Sequence, residues 1–306
     1  VSSFDAAPLL GVERLTSSPD APRSSGRLRR RGPRSLHALK RRAQRLNRPG
    51  QIGEVSGESE ATSPQIDLQL QPLNIFVCNI RCVKHKITEL VQATKDHDIH
   101  LILLEESWLD ASTKEIAIPN FSVISRRDRS EGPNRGGVIG FVRHDVNNIS
   151  FVSKSENAER CWHVIQRDTS SIAICNWYFS PQASLDDIDS FTQELEEMQN
   201  QFDYVIVTGD LNTHQVSWLR YSREDTPRGC KLKHICDTHG LKEKVRQPTR
   251  GLYLLDLVLT DFDAINVTLG AKIADHRSLI IHVPDSFEER QMGSRHVWNY
   301  RDANWH

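Results

Sequence analysis

From Leu73 onward the chain alternates between short apolar runs and polar stretches, and these runs read as buried strands separated by a few amphipathic helices. Leu73–Asn79 is the first strand. A helix over about Lys84–Asp96 follows, with Ile87, Leu90 and Val91 on one stripe, and Leu101–Leu104 is a second buried strand. Strand-like runs recur at Phe121–Ser125, Gly137–Val142, Cys161–Gln166 and Ile172–Tyr178. A helix over Leu185–Gln199 places Leu185, Ile188, Leu195 and Met198 on one face, with Ser184 as its N-cap and Asp187 at the capping-box position. Asp203–Gly209 is the next buried strand, a helix near Lys231–Thr238 ends at Gly240, and strands at Tyr253–Leu259, Val267–Leu269 and Leu279–Val283 complete the series. Strands outnumber helices and often follow one another directly. The pattern therefore predicts an α/β (α+β) layered sandwich of two packed mixed sheets flanked by helices, and not a single doubly wound sheet.

Outside this region the pattern fades. Residues 1–68 are rich in Ser, Pro, Gly and Arg and bury too little apolar area to offset ordering entropy, so they are expected to form a disordered basic arm. Within it, Leu36, Leu39 and Leu46 fall on one side of a short helix over about Ser35–Leu46. The ordered domain is bounded at 69–285, and 286–306 reads as a linker. The net charge of −1 over 306 residues hides an asymmetry. Arg23 to Arg48 holds only basic charges, a run suited to nucleic-acid backbones or, through Arg29–Arg31 and Lys40–Arg42, to nuclear import; the remainder is net acidic. No apolar stretch approaches the roughly 18 residues of a membrane span. Six cysteines without a CxxC pair read as reduced thiols, which points to an intracellular protein, nuclear or cytoplasmic.

The candidate chemistry sits at the ends of the apolar runs, where a rigid strand can hold a group at a cleft. Asn79 and Arg81 close the first strand, Glu105 and Glu106 the second, and Gly209-Asp210-Leu211-Asn212 the strand after the long helix. A lone Asp at a strand end is usually a turn former. Asp256 is different, because a carboxylate between leucines is costly to bury without a partner, and His276 is a candidate for that partner. Asp210 and Asn212, two apart on an extended segment, project to one side, whereas Asp275 and His276 share a cleft only within a turn. Strand alternation turns Glu105 away from Glu106. A metal ligand, a base, an amide donor and an Asp–His pair together make up the kit for hydrolysing a phosphodiester.

In order along the chain, Asn79-x-Arg81, Glu106-Ser-Trp-Leu109, an Arg-rich turn before Gly136-Gly137, Tyr178-x-x-Pro181, Gly209-Asp-Leu-Asn212, Pro248-Thr-Arg250, Leu255-Asp-Leu-Val-Leu-Thr260 and Asp275-His276 resemble the endonuclease domain of non-LTR (LINE-type) retrotransposons. That family lies within the endonuclease/exonuclease/phosphatase superfamily, and the resemblance covers residues 73 to about 283. It implies a DNase I-like fold and Mg²⁺-dependent (or Mn²⁺-dependent) nicking of double-stranded DNA. It also implies that Glu106 holds the metal, with Asn79 positioning the metal–phosphate assembly and Asp275 assisting with metal or water. Asp210 would activate water, Asn212 and Tyr178 would bind the scissile phosphate, and His276, oriented by Asp256, would stabilise the transition state. Thr249 matches a DNA-contacting position. Two residues depart from the family's usual pattern: Ala274 stands where Ser is common and Leu211 where Phe is. The tail Val297–Trp305 resembles the segment that leads to a reverse transcriptase in such elements, so the chain reads as a truncated element product with that polymerase and the element RNA as further partners.

Two other readings remain at the level of sequence. One is another phosphodiesterase of the superfamily, of the abasic-site repair type, since a fold does not choose a substrate. The other is a non-catalytic nucleic-acid-binding remnant held by its basic arm. Cys230, His234, Cys236 and His239 fit a helix better than a zinc knuckle, and Lys95–Asp98 reads as a solvated helix end. Trp108 and Trp218 are either cleft or core aromatics.

Overall fold

The computed structural model describes residues 72–129, 135–152, 158–168 and 170–285. The basic arm, its helix over 35–46 and the tail from 286 lie outside the described residues. Twelve strands in this region form two six-stranded mixed sheets. The first sheet runs β11(Asn266–Lys272)–β12(Arg277–Val283)–β1(Leu73–Asn79)–β2(Leu101–Glu105)–β4(Val138–Arg143)–β3(Phe121–Arg127). The second runs β5(Ile149–Val152)–β6(Arg160–Gln166)–β7(Ser171–Trp177)–β8(Tyr204–Asp210)–β10(Asp256–Thr260)–β9(Lys242–Glu243).

Each sheet has one parallel pair at its centre, β1 with β2 and β7 with β8, and its other pairings are antiparallel. This arrangement concentrates the chemistry. The C-terminal ends of β1, β2, β7 and β8 share one end of the sandwich. The antiparallel neighbours β10 and β12 begin at that same end, as the Asp256↔Asp210 and Leu279↔Val77 registers require.

Between the sheets the odd positions of β1 and β2 (Leu73, Ile75, Val77, Leu101, Leu103) meet β7 and β8 in one apolar core. The even positions Phe76, Ile102 and Leu104 form a second core on the outer face, joined by Leu90 of α1(Ile87–Thr94). The outer face of the second sheet is covered by α2(Asp186–Gln201), whose Phe191 stacks on Trp162 and Trp177 at 6.3 and 4.4 Å. Arg160 is buried there and fixes α2 in place. Its Nη2 and Nε donate to Glu194 at 2.7 and 2.8 Å, Glu194 also accepts from Trp162 Nε1 at 2.8 Å, and Asp187 completes the cage. A buried cation of this kind is tolerated only when it is fully paired.

Several boundaries differ from the sequence reading. Helix α2 starts at Asp186 with Leu185 at the N-cap and no side-chain cap; Asp187 is drawn to Arg160, and the negative charge of the first turn, Asp186, Asp187 and Asp189, suits the helix's positive end. The first helix breaks into a 3-10 turn, Val83–His85, before α1, because Lys86 leaves helical geometry at φ −127°. Helix α3(Pro227–His239) begins four residues earlier than expected. Pro227 is pre-set for the first turn, Thr226 Oγ1 accepts from Gly229 N at 3.1 Å, and the expected stop at Gly240 holds, with φ 70°. The edge strand β5 was not anticipated, since its Ser150 and Phe151 are both exposed and give no alternation.

Candidate active site

The inter-sheet core is apolar along its length and turns polar at one end. Asn79 and Glu105 of the first sheet face Asn176, Thr208, Asp210 and Asp256 of the second, all buried. Asn79 spans the two sheets, its Nδ2 donating to Asp210 Oδ2 and to Glu106 Oε1, both at 2.9 Å. Glu106 leaves the strand in the left-handed region (φ 51°), which swings its carboxylate over the sandwich end. There it accepts from Tyr178 OH at 3.1 Å and from Trp108 Nε1 at 3.0 Å. Trp108 is thus a cleft residue, while Trp218 packs against the core.

Glu105 corrects the alternation argument. Leu101 and Leu103 point between the sheets, so Glu105 does too, and a Cβ on Gly209 would lie 3.1 Å from its Oε1. Alternation would turn Glu106 to the opposite face, but the strand ends before it does. Burial, then the Asp256 and Asp210 charges, push the Glu105 carboxyl well above the usual carboxylate range.

On the facing sheet, Gly209 adopts φ 130° because a Cβ there would meet Trp177 O at 2.2 Å. This close approach of β7 and β8 sets Asp210 beside Tyr178. Asn212 is not on an extended segment as expected. Its φ is 43°, its N–H donates to Asp210 Oδ1 at 3.2 Å, and its Nδ2 donates to Phe179 O at 3.3 Å, so a turn and not strand alternation brings it to the site. Leu211 is fully buried, where Leu and Phe are exchangeable core residues.

The Asp256–His276 pair forms as the buried carboxylate demanded. His276 Nδ1 lies 2.8 Å from Asp256 Oδ2, and its Nε2 lies 3.7 Å from Asp210 Oδ2, with all three residues at most 2% exposed. Burial opposes charging the ring, yet the Asp256 carboxylate, with Asp210 and Asp275 behind it, raises its pKa to about 9. Burial and then Asp256 raise Asp210 to about 7, partly offset by His276 and by the Asn79 hydrogen bond. Around neutral pH the ring is therefore an imidazolium, poised beside a carboxyl near its midpoint. Thr249 matches a DNA-contacting position in the resemblance. It is 1% exposed, and its hydroxyl accepts from Leu255 N and Asp256 N at 3.2 and 3.1 Å, so it lies beneath the site and fixes the start of β10. Asp275 sits in a bend and His276 directly after it bridges to Arg250, but the Asp275 carboxylate turns to Arg81 and Arg250, two arginines to which the sequence reading gave no role. Both lie inside the quoted motifs, and Arg81, two residues after Asn79, was the legible signal.

Most of the buried atoms here that have no hydrogen-bond partner are acceptor oxygens, Asn79 Oδ1, both Glu105 oxygens, Asn176 Oδ1, Asp256 Oδ1 and Asp275 Oδ1, beside the Thr208 hydroxyl. An excess of lone pairs without donors suits a hard, oxygen-seeking cation. Among the described residues no three His, Cys, Asp or Glu side chains converge to hold an ion by themselves. Such an ion would therefore rest on the Glu106 carboxylate and the Asn79 amide oxygen, with water and substrate oxygens supplying the remainder. Cys230, His234, Cys236 and His239 lie along α3, Cys236 and His239 buried with His239 hydrogen-bonded to Gln199 at 3.0 Å, and Cys230 and His234 exposed, so the four do not share one site.

Residues 172–280 match the family described as endonuclease-reverse transcriptase. No curated protein matches the sequence significantly. Among solved structures, the endonuclease domain of TRAS1, a telomere-specific non-LTR retrotransposon, superposes with a TM-score of 0.56 at 16% identity, covering 70% of this chain and 98% of that domain. The AP endonuclease LMAP from Leishmania major gives 0.58 at 12% identity over 82% of this chain and 99% of that one. The catalytic domain of Xenopus laevis APE2 gives 0.52 at 12% over 69% and 93%. The fold is thus a DNase I-like sandwich of two packed mixed sheets. Over residues 172–280 the matched family agrees with the resemblance to retrotransposon endonucleases.

Proposed function

We propose that this protein is a Mg²⁺-dependent endonuclease that hydrolyses phosphodiester bonds of double-stranded DNA, as the nicking activity of a non-LTR retrotransposon. The observation that carries the reading is the convergence of Asn79, Glu106, Tyr178, Asp210, Asn212, Asp256 and His276 from both sheets onto one end of the sandwich. Glu106 and Asn79 would hold the Mg²⁺, which supplies charge neutralisation at the scissile phosphate.

The chain's own residues account for the other requirements. Asp210, whose pKa of about 7 matches a general base, would take the proton of the attacking water. His276, kept charged by Asp256, is the donor for charge developing on the phosphate oxygens. Tyr178, its hydroxyl held protonated chiefly by burial and by the Glu106 charge, donates from the second sheet, and Asn212 adds an amide. The reverse transcriptase and element RNA as partners, the DNA-binding role of the basic arm, and residence in the nucleus belong to the same proposal. They rest on the family resemblance and on the charge of residues 23–48.

The test is nicking of supercoiled plasmid with and without Mg²⁺, beside the Asp210→Ala variant and an abasic duplex. Metal-dependent relaxation by the wild type alone supports the reading. Inactivity of a folded wild type over varied duplexes and divalent ions would refute it, and strict preference for the abasic duplex would transfer it to repair.

A further inference from the structure

We infer that Arg81 and Arg250, joined through Asp275, form a phosphate-binding pair at the rim of the site, and that Asp275 serves this pair and not the metal ion. The inference rests on the nuclease reading above. Asp275 Oδ2 lies 3.1 Å from Arg81 Nη1 and 2.8 Å from Arg250 Nη2. One carboxylate oxygen thus gathers two guanidinium groups from segments far apart in the chain: the loop after β1 and the turn that precedes β10.

Two observations give the pair a direction. Arg81 is also close to the catalytic centre, its Nε 3.9 Å from Glu106 Oε2 and its guanidinium 5.8 Å from the centroid of the Trp108 ring, whose Nε1 donates to Glu106. The Arg81 and Arg250 side chains are 41% and 43% exposed, so these cations sit at the mouth and not in the core.

The charge count then points to a ligand. With Glu106 committed to the metal ion in the reading above, two guanidinium groups facing the Asp275 carboxylate would leave one positive charge in excess. Each guanidinium is ion-paired to Asp275 through one terminal nitrogen, which leaves its other nitrogens for phosphate oxygens. A phosphodiester group carries one negative charge and two free oxygens. Seated between Arg81 and Arg250 it would complete the charge balance next to Glu106, on the strand flanking the scissile bond. The same geometry argues against Asp275 as a metal ligand. A divalent ion at Oδ2 would have to displace two guanidinium groups or sit against both, and at the unpartnered Oδ1 it would lie only a carboxylate's width from the same two cations. The backbone agrees, since Arg81 is held at φ 45° by its neighbours, with Cys82 N donating to Glu106 O at 2.9 Å. Holding a non-glycine residue there costs energy that a solvated side chain would not require.

The full chain decides the matter in two measurements. The first is binding of a fluorescein-labelled duplex by anisotropy in EDTA, between about 50 and 200 mM salt. Each phosphate contact contributes about 0.9 to the slope of log K against log salt. Arg81→Ala and Arg250→Ala should each flatten the slope by about one contact and the double variant by about two, with Arg81→Lys keeping most of it. The second is Mn²⁺ binding without DNA, read by electron paramagnetic resonance. Asp275→Asn should bind as the wild type does, while Glu106→Gln should lose at least tenfold. An unchanged slope in the double variant, or a Mn²⁺ affinity in Asp275→Asn that falls as far as in Glu106→Gln, would overturn the inference while the wild type still nicks DNA. A wild type that neither binds nor nicks duplex would remove both this inference and the reading beneath it.

Discussion

Replacing Asp256 with Asn removes one negative charge and almost nothing else. The amide oxygen can still accept from His276 Nδ1, so the 2.8 Å contact and the packing persist. What is lost is the largest influence that raises the His276 pKa against burial. The gap between about 9 and the ordinary 6.5 corresponds to about 3 kcal/mol of preference for the charged ring. Without Asp256, burial dominates and the ring should titrate below its ordinary value. Asp210, which Asp256 also pushes up towards 7, should fall as well. Both limbs of the rate profile therefore move to lower pH, as apparent values of a coupled pair. Between pH 7 and 9 the wild type has an ionised base beside a charged donor. In the variant the donor is neutral there, and kcat for plasmid nicking should fall on the order of 10²-fold, the cost of weakening one oxyanion donor. Part of the loss should return as the pH approaches 6. Stability follows the same sign. The pairing contributes fully below pH 6.5 and is lost as pH rises through 9, so the variant should lack the fall in melting temperature over that range. Steady-state nicking from pH 5.5 to 9.5, together with an NMR titration of His276, measures both effects. A ring that still titrates near 9 in Asp256→Asn, or an unshifted alkaline limb, would refute the reasoning.

Glu106→Gln keeps the contacts from Asn79 and Tyr178 but removes the charge, so nicking should fall at least 10²-fold and raising the Mg²⁺ concentration should restore only part of it. Arg160→Ala leaves Glu194 and Asp187 facing an empty buried site and should cost about 3–5 kcal/mol in urea unfolding, with residual folded protein retaining kcat; a loss under 1 kcal/mol would mean the cage is not what holds α2. Gly209→Ala places a Cβ 2.2 Å from Trp177 O at φ 130°, so more than about 3 kcal/mol of stability should go with it, and wild-type melting would show the β7–β8 contact to be looser than described. Thr249→Val removes the acceptor for two buried N–H groups and should cost about 1–3 kcal/mol while leaving the salt slope of DNA binding unchanged.

The strands of the core were legible because each is a run too apolar to be anything but buried. Leu73–Asn79 and the strand ending at Asp210 were placed with their boundaries nearly intact. Asp256 could be picked out by the cost of its burial alone, and the partner that cost demands is the one found, His276. Exposed and capped segments were less legible. The edge strand β5 has no apolar face to announce it, and the start of α3 was hidden because Pro227 and the Thr226 cap lie before any apolar periodicity begins.

What the sequence determined by itself is local: which segments are buried, which polar residues sit at their ends, and which carboxylate requires a partner. These follow from burial costs and side-chain period, which act within a few residues. What only the tertiary structure decided is where the ends go. Left-handed turns at Arg81, Glu106 and Asn212 override strand alternation, Thr249 is drawn under the site by two backbone donors, and Asp275 is claimed by two arginines instead of standing free. Those outcomes depend on partners outside the strand that carries each residue, from Asp256 for Thr249 to Arg81 for Asp275 across almost the whole domain, and these partners come within reach only in the folded chain.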